Sequence, residues 1–584
     1  MQSAKPQQNG VRYRIWAPLH RTLRVLVNGQ RELPLARDAD GVFTGVDANG
    51  QPGDLYQFKL PDGKILPDPG THFQPQGVHG PSEVIDHASF RWPRSDFKAP
   101  PLRDLVIYEC HIGTFTPEGT FAAAIGKLAY LKELGVTAIQ IMPVADFGGR
   151  WNWGYDGVCL YAPTRNYGRP DDMKRFVTAA HEAGLAVILD VVYNHFGPDG
   201  NYWESYSDEF FVKGDANIWG KTINFGSRHV REFFINNIAH WMEHYHIDGF
   251  RLDATHAIVD KSELHILKEI ADEARRRGGF TIAEDERNLA KVITPKPDGI
   301  GIDAAWADDF HHVVKVALTN ERFAHFRSYE GTPKELIETV ENGWLFRGQI
   351  YPQWKKPRGT ECSHLPPEKF VYCISNHDQV GNRPLGERLN RLVSPEAYAA
   401  ASALLCLLPY TPMLWMGQEW ATSSMFCFFT DHAGEIGRNV SKGRLKEFEH
   451  YGADFGEDIL RCMPDPQDPN TFYNSKLNWA ELDQRTHQRV LELYKRCLEF
   501  RRAVLIRRRR GDWKACLHGH VLEVAYDTPN SPTRVICDLY GGGEVKIDGV
   551  DWRIELASGN SASLSNNRLK FDKPETIVLR GGVR

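Results

Sequence analysis

The chain has 584 residues, with Lys+Arg 70 against Asp+Glu 75 and a formal charge of −5. At roughly 150 residues per domain that length calls for two to four units, and the near-neutral balance offers no polycationic field for nucleic acid or an acidic membrane. The ten cysteines lack paired or metal-like spacing and read as reduced thiols of a cytoplasmic protein, while Met1 to Gly10 lacks the apolar stretch of a signal peptide.

Residues 11 to about 92 alternate apolar and polar, with turn pairs at Asn28-Gly29, Asn49-Gly50 and Asp62-Gly63. The pattern predicts an antiparallel β-sandwich domain over 1–95. From residue 102 short apolar strands are separated by amphipathic helices: Leu105 to Tyr108, Ala138 to Met142, Ala186 to Val192, Gly249 to Leu252, Thr281 to Ala283, Ile302 to Trp306, Phe370 to Ser375 and Met413 to Met416. Eight such units predict an α/β fold, a (β/α)8 barrel over 101–510 whose reactive groups stand at the carboxyl ends of the strands. An aromatic-rich insertion, about 196–226, is expected as a lid over that face. The uncharged run Ala397 to Met416 is broken by Pro409 and Pro412, and so reads as a helix, a turn and a buried strand rather than a membrane span. Strands and Gly-rich turns return after 511, predicting a C-terminal antiparallel β-domain over 511–584.

The strand ends carry Asp190 to His195, then Arg251 and Asp253, then Glu284, then Asn376-His377-Asp378. Three carboxylates, Asp253, Glu284 and Asp378, converge from separate strands. Glycoside hydrolysis needs one carboxylate to attack the anomeric carbon and one carboxylic acid to protonate the leaving oxygen. Asp253 beside Arg251 suits the anion, Glu284 after apolar Ile282 and Ala283 suits the acid, and His195 and His377 suit hydrogen bonds to hydroxyls. Taken alone, Arg251 and Asp253 could equally be a structural salt bridge.

These segments resemble, in order and spacing, the four signature regions of the α-amylase family of glycoside hydrolases, and the resemblance covers nearly the whole chain. It implies a retaining mechanism with Asp253 as nucleophile, Glu284 as acid/base and Asp378 as transition-state stabiliser. By the same resemblance Asp190, His195, Arg251 and His377 line the subsite, Tyr155 stacks on the sugar, and the N-terminal domain is carbohydrate-binding-module-like and extends the glucan groove. Ser375 and Gln418 depart from the family pattern, where Gln and Glu would be expected. The segments His111 to Thr116, Ala283 to Asn288, Ala307 to His312 and Phe428 to His432 are similar to the family's trehalose-releasing members. The implied substrate is maltooligosyltrehalose, supplied by a separate trehalose-forming synthase, with a branching enzyme as the alternative and a catalytically silent glucan-binding protein as a remote one. On the acceptor side Trp306, Asp308, Asp309 and His311 are expected to bind the trehalose end, against the reading of a solvated polar loop. Trp151, Trp153, Trp203 and Trp219 fall in loops expected over the active face, each as a stacking platform or as local core.

His240 to His244 matches H-x-x-E-H, but His240, Glu243 and His244 are expected on a solvated helix face, opposite the stripe Phe234, Ile238, Trp241 and Tyr245. His311-His312, read as strand residues, lacks metal spacing. Asn194 matches a calcium-ligand position of some α-amylase relatives, yet no Asp-rich loop accompanies it. No cofactor and no required metal are predicted. The run Arg507 to Arg510 is read as the cationic end of a helix.

Overall fold

The computed structural model describes residues 3–93, 96–449, 455–505, 511–526, 531–548 and 551–581. The arginine run 507–510 lies outside the described residues. The N-terminal strands, Ala4–Gln7 through Ser82–Glu83, make one eight-stranded antiparallel sheet. In Gly10–Trp16 buried Val11, Tyr13 and Ile15 alternate with half-buried arginines, the period-two pattern of a strand with one covered face. Asn28 and Gly29 both take positive φ, 52° and 65°, the hairpin turn that their residue types favour. Strand Arg31–Arg37 pairs with Leu23–Val27 on one side and Val42–Asp47 on the other. It joins two halves of the sheet that close over a shared core of Val11, Tyr13, Val25, Phe43, Tyr56 and Phe58.

The central strands close into a parallel barrel: Ile107–Cys110, Ala138–Ile141, Ala186–Val191, Gly249–Leu252, Phe280–Ala283, Ala304–Trp306, Phe370–Tyr372 and Thr411–Trp415. The eight apolar segments each supply one strand, with shifted ends. The first begins two residues later than its apolar run, because Leu105 caps the short turn Leu102–Asp104 through Leu102 O. The seventh stops at Tyr372, because Asn376 caps the helix His377–Gly381 by accepting from Gln379 N at 2.8 Å.

The uncharged run resolves into helix Pro395–Leu407 and strand Thr411–Trp415. The Arg501 guanidinium donates to the carbonyls of Cys406, Leu408 and Tyr410 at 3.2, 2.5 and 2.6 Å, satisfying the helix end. Among the described residues no helix is long and apolar enough to cross a membrane. After Trp513 a five-stranded antiparallel sheet and a three-stranded one enclose Val521, Ile536, Val545, Leu569 and Ile577. The larger sheet is tied to helix Pro395–Leu407 by Thr576 Oγ1 to Ala400 O, 2.8 Å, and Tyr526 OH to Leu407 O, 2.7 Å.

Candidate active site

Residues two apart on a strand share a face, so the inward-pointing Arg251 near the end of Gly249–Leu252 carries Asp253 with it. Arg251 is wholly buried. Its Nη1 donates to Asp190 Oδ1 and Oδ2 at 3.0 and 2.9 Å and to Asp253 Oδ1 at 2.7 Å, while its Nη2 donates to Glu284 Oε2 at 2.6 Å. The guanidinium lies 4.3 Å from the ring centroid of Trp306, a cation–π floor. Asp253 Oδ2 accepts from Asn194 Nδ2 at 2.7 Å, and the same amide donates to Asp253 O at 3.0 Å. Asn194 thus orients the carboxylate. Ala254 takes the left-handed conformation, φ 38°, which aims its N–H at Glu284 Oε2, 3.0 Å away. Strain of this kind persists where surrounding structure holds it, often at functional sites.

One guanidinium faces three carboxylates, Asp190 fully buried and Asp253 and Glu284 partly buried, and cannot balance them all. Burial raises the pKa of Asp253, but Arg251, His195 and Asn194 outweigh it and hold the group below the usual carboxylate value. Burial drives Glu284 well above its ordinary value, with Asp253 and Asp378 adding to the rise against Arg251. Asp190 is pushed up to about 7 by burial, with Arg251 opposing. Two carboxyls of neighbouring strands are thereby driven apart, one anionic and one protonated, the pairing that acid and nucleophile require.

His377 completes the floor. Its Nδ1–H goes to Glu109 Oε1 at 2.8 Å and its backbone N–H to Glu109 Oε2 at 3.0 Å. Burial disfavours an imidazolium here, but Asp378 and Glu109 raise the pKa to about 9. A doubly protonated ring then donates Nε2–H to Tyr155 OH, 2.8 Å, and the phenol donates to Asp190 Oδ2 at 2.8 Å. Asp378 is one-third exposed, accepts from Asn382 Nδ2 at 3.1 Å, and stands 3.5 Å from His377 Nε2. Glu109, in the first barrel strand, was not identified from sequence; the available signal was a lone acid in the apolar strand Ile107–Cys110.

These groups open into a groove of about 820 Å³. Tyr155, His195, Asp253, Glu284, Asp308, His377, Asp378 and Trp153 line it. The lid brings Ile218, 87 % exposed, and Trp219, 45 % exposed, to its rim. The opposite wall comes from Tyr351, Gln353, Trp354 and Arg358 and from Val440, Arg444 and Glu447 of helix Gly434–Glu449. None of these wall residues stood out in the sequence, since segments distant along the chain carry no common period. Every lining residue lies at or beyond Asn152. The N-terminal domain is joined to the lid: Tyr206 packs in that domain's core and Tyr202 OH meets His79 Nδ1 at 2.7 Å.

The acceptor-side expectation is corrected in part. Asp308–Thr319 is a helix, not a strand, so Asp308 and His312, four residues apart, share the groove face, whereas Asp309 and His311 turn inward. Asp309 accepts from Asn288 Nδ2, Tyr329 OH, Leu345 N and Phe346 N at 2.8, 2.6, 2.8 and 3.0 Å, anchoring the loops beneath the wall. His311 is buried against His312, Nδ1 to Nδ1 3.0 Å. Trp306 forms the floor under Arg251 and does not line the groove. Asp308 Oδ1 has no hydrogen-bond partner among the described residues, and burial with Asp378 raises the group to about 6. Asp309→Ala is expected to lower unfolding free energy by about 1–3 kcal/mol, measured by urea titration, because buried donors lose their acceptor. Asp308→Ala should leave that value unchanged.

Trp151 and Trp203 are core residues, stacked on Phe472 and Phe210 at 5.3 and 4.2 Å. Gln418 is buried away from the groove and donates to Tyr494 OH at 2.8 Å. His240 is buried rather than solvated, and Glu243 of the same motif turns to Arg277.

The family model for the alpha amylase catalytic domain matches residues 89–215. A malto-oligosyltrehalose trehalohydrolase from Deinococcus radiodurans is 46% identical over 527 residues, 89% of this chain and 86% of that protein. The chain belongs to the malto-oligosyltrehalose trehalohydrolases of the α-amylase family. It is a glycoside hydrolase. A crystal structure of an alpha-amylase-type protein from Salmonella typhimurium shares 36% identity and a TM-score of 0.92 over 99% of both chains. A 1,4-alpha-glucan branching enzyme from Bacillus caldolyticus, by contrast, matches at 30% over 54% of each chain. The trehalohydrolase likeness thus covers 89% of the chain and the branching likeness 54%.

Proposed function

We propose that the protein hydrolyses the α-1,4-glucosidic bond next to the terminal trehalose of maltooligosyltrehalose, releasing trehalose by a retaining double displacement. The observation that carries this reading is the shared guanidinium. Glu284 gives its proton to the glycosidic oxygen as Asp253 attacks the anomeric carbon; the C–O bond breaks, trehalose leaves, and Asp253 becomes an uncharged ester. Glu284, now ionised, takes a proton from the water that attacks the same carbon and frees Asp253. Negative charge passes from the Asp253 side of Arg251 to the Glu284 side and back, so the cluster's total charge stays constant while no solvent has to reorganise. Asp378 binds hydroxyls of the sugar whose bond is cut, cationic His377 holds Tyr155 in place through its Nε2–H, Tyr155 and Trp153 supply the sugar's stacking surfaces, and His195 and Asp190 hold the pocket's floor and side.

Asp308 is the acceptor-side group with an unpaired oxygen for the trehalose end. A separate synthase must install the α,α-1,1 linkage, because nothing in this reaction forms it. The ten cysteines, none joined in a disulfide, support a reducing, cytoplasmic setting. A branching transferase on the same carboxylates is the rival reading. Incubation with long amylose separates the two: branching changes its iodine colour without creating new reducing ends, whereas the trehalohydrolase leaves the colour nearly unchanged. The proposal expects little action on plain amylose and free trehalose from maltotriosyltrehalose, with Asp253→Ala as the blank.

A further inference from the structure

We propose that His72, His87 and His240 form a site for one divalent transition-metal ion of the zinc class at the seam between the N-terminal domain and the barrel. His72 and His87 come from the N-terminal side, His87 in the short turn His87–Ser89, and His240 from the barrel helix Arg228–Tyr245. Each can offer a ring nitrogen such that all three lie within 4.8 Å of one another, and all three side chains are buried.

Two of the nitrogens already address one point. His72 Nδ1 and His87 Nε2 stand 2.9 Å apart and share one proton. Two nitrogen ligands on a tetrahedral zinc, with bonds of about 2.0–2.1 Å, stand about 3.3 Å apart. An ion can therefore replace the shared proton after a small separation of the rings. The displaced proton moves to a far nitrogen of the same neutral pair, so one ring changes tautomer and no proton is lost. Those far nitrogens, His72 Nε2 and His87 Nδ1, are buried with no hydrogen-bond partner among the described residues, so hydrogen bonding accounts for only part of the cluster. His240 Nε2–H donates to Tyr161 O at 2.8 Å, the outer bond to a backbone carbonyl that fixes ligand imidazoles and leaves the lone pair on Nδ1.

The surroundings are rigid. The Tyr161 ring lies parallel to His72 at 5.8 Å, and His244 lies parallel to His87 at 4.2 Å. Burial holds the three imidazoles well below their ordinary pKa, hence neutral, the form that binds metal. A neutral all-nitrogen set selects borderline ions such as Zn²⁺ or Co²⁺ over Mg²⁺ and Ca²⁺. None of the three lines the catalytic groove, so the ion would clasp the two domains without entering the reaction.

The test uses the full chain stripped with a chelator and then titrated with Co²⁺. The expected result is one equivalent bound with the intense visible absorption of a tetrahedral site, displaced by Zn²⁺, and a Tm raised by about 2–4 °C at saturating Zn²⁺. Mg²⁺ and Ca²⁺ should do neither. Cys516, His518 and Glu523 form a second trio, in the C-terminal domain, so Cys516→Ala should leave the signal intact while His72→Asn abolishes it, with His240→Gln as the alternative if the first variant does not fold. A wild-type protein without the cobalt band or the Tm rise overturns the proposal, as does a band that survives both histidine changes or disappears in Cys516→Ala.

Discussion

Asp253→Ala is expected to lower kcat on maltotriosyltrehalose by about 10⁴–10⁶-fold, the loss typical of removing a covalent nucleophile, with Tm little changed. The fold should tolerate it because Arg251 keeps Asp190 and Glu284 as partners, so no buried cation is orphaned. Two further readouts follow from the same geometry. Azide, small enough to occupy the vacated space, should restore turnover and give a β-glycosyl azide, since it attacks from the face that the carboxylate used. After burial, Asp253 is one of the charges that raise Glu284, so the residual activity should lose its basic limb at lower pH than the wild type. A variant retaining more than about a tenth of wild-type kcat would remove Asp253 from the reaction.

Glu284→Gln is the second large effect. An amide can neither donate the first proton nor take the second, so kcat on the natural substrate should fall by about 10²–10⁴-fold. Maltosyl fluoride, whose leaving group needs no proton, should still glycosylate Asp253, and the covalent adduct should accumulate and appear in the intact mass. In the wild type, activity should fall with decreasing pH as Asp253 protonates at its lowered pKa. It should also fall with increasing pH as Glu284 ionises at its raised one. The variant should keep the acidic limb and lose the basic one. Equal losses on the fluoride and on the natural substrate would assign Glu284 a binding role instead.

The barrel was legible because each strand is a short apolar run and four of them end in polar, chemistry-bearing residues; Asp190, Arg251, Asp253, Glu284 and His377 meet where those ends converge. What the sequence left hidden depended on tertiary contact. Glu109 shares a strand with Tyr108 and Cys110, and only the approach of His377 shows its purpose. Asp308 and Asp309 are neighbours in sequence, but a helix turns one to the groove and the other into a buried network. His240 looked solvated because the apolar stripe of its helix lies elsewhere, and its cover is a separate domain more than a hundred residues upstream. Groove-wall residues such as Trp354, in a loop, and Arg444, on helix Gly434–Glu449, come from segments distant along the chain that share no period to read.

The most direct test of the whole account is proton NMR of maltotriosyltrehalose during the first minutes of hydrolysis by the wild-type enzyme. The account predicts free trehalose together with maltotriose whose new reducing end appears first as the α-anomer. Release of glucose or maltose in place of trehalose would contradict the proposed bond, and β-maltotriose appearing first would contradict the covalent role of Asp253.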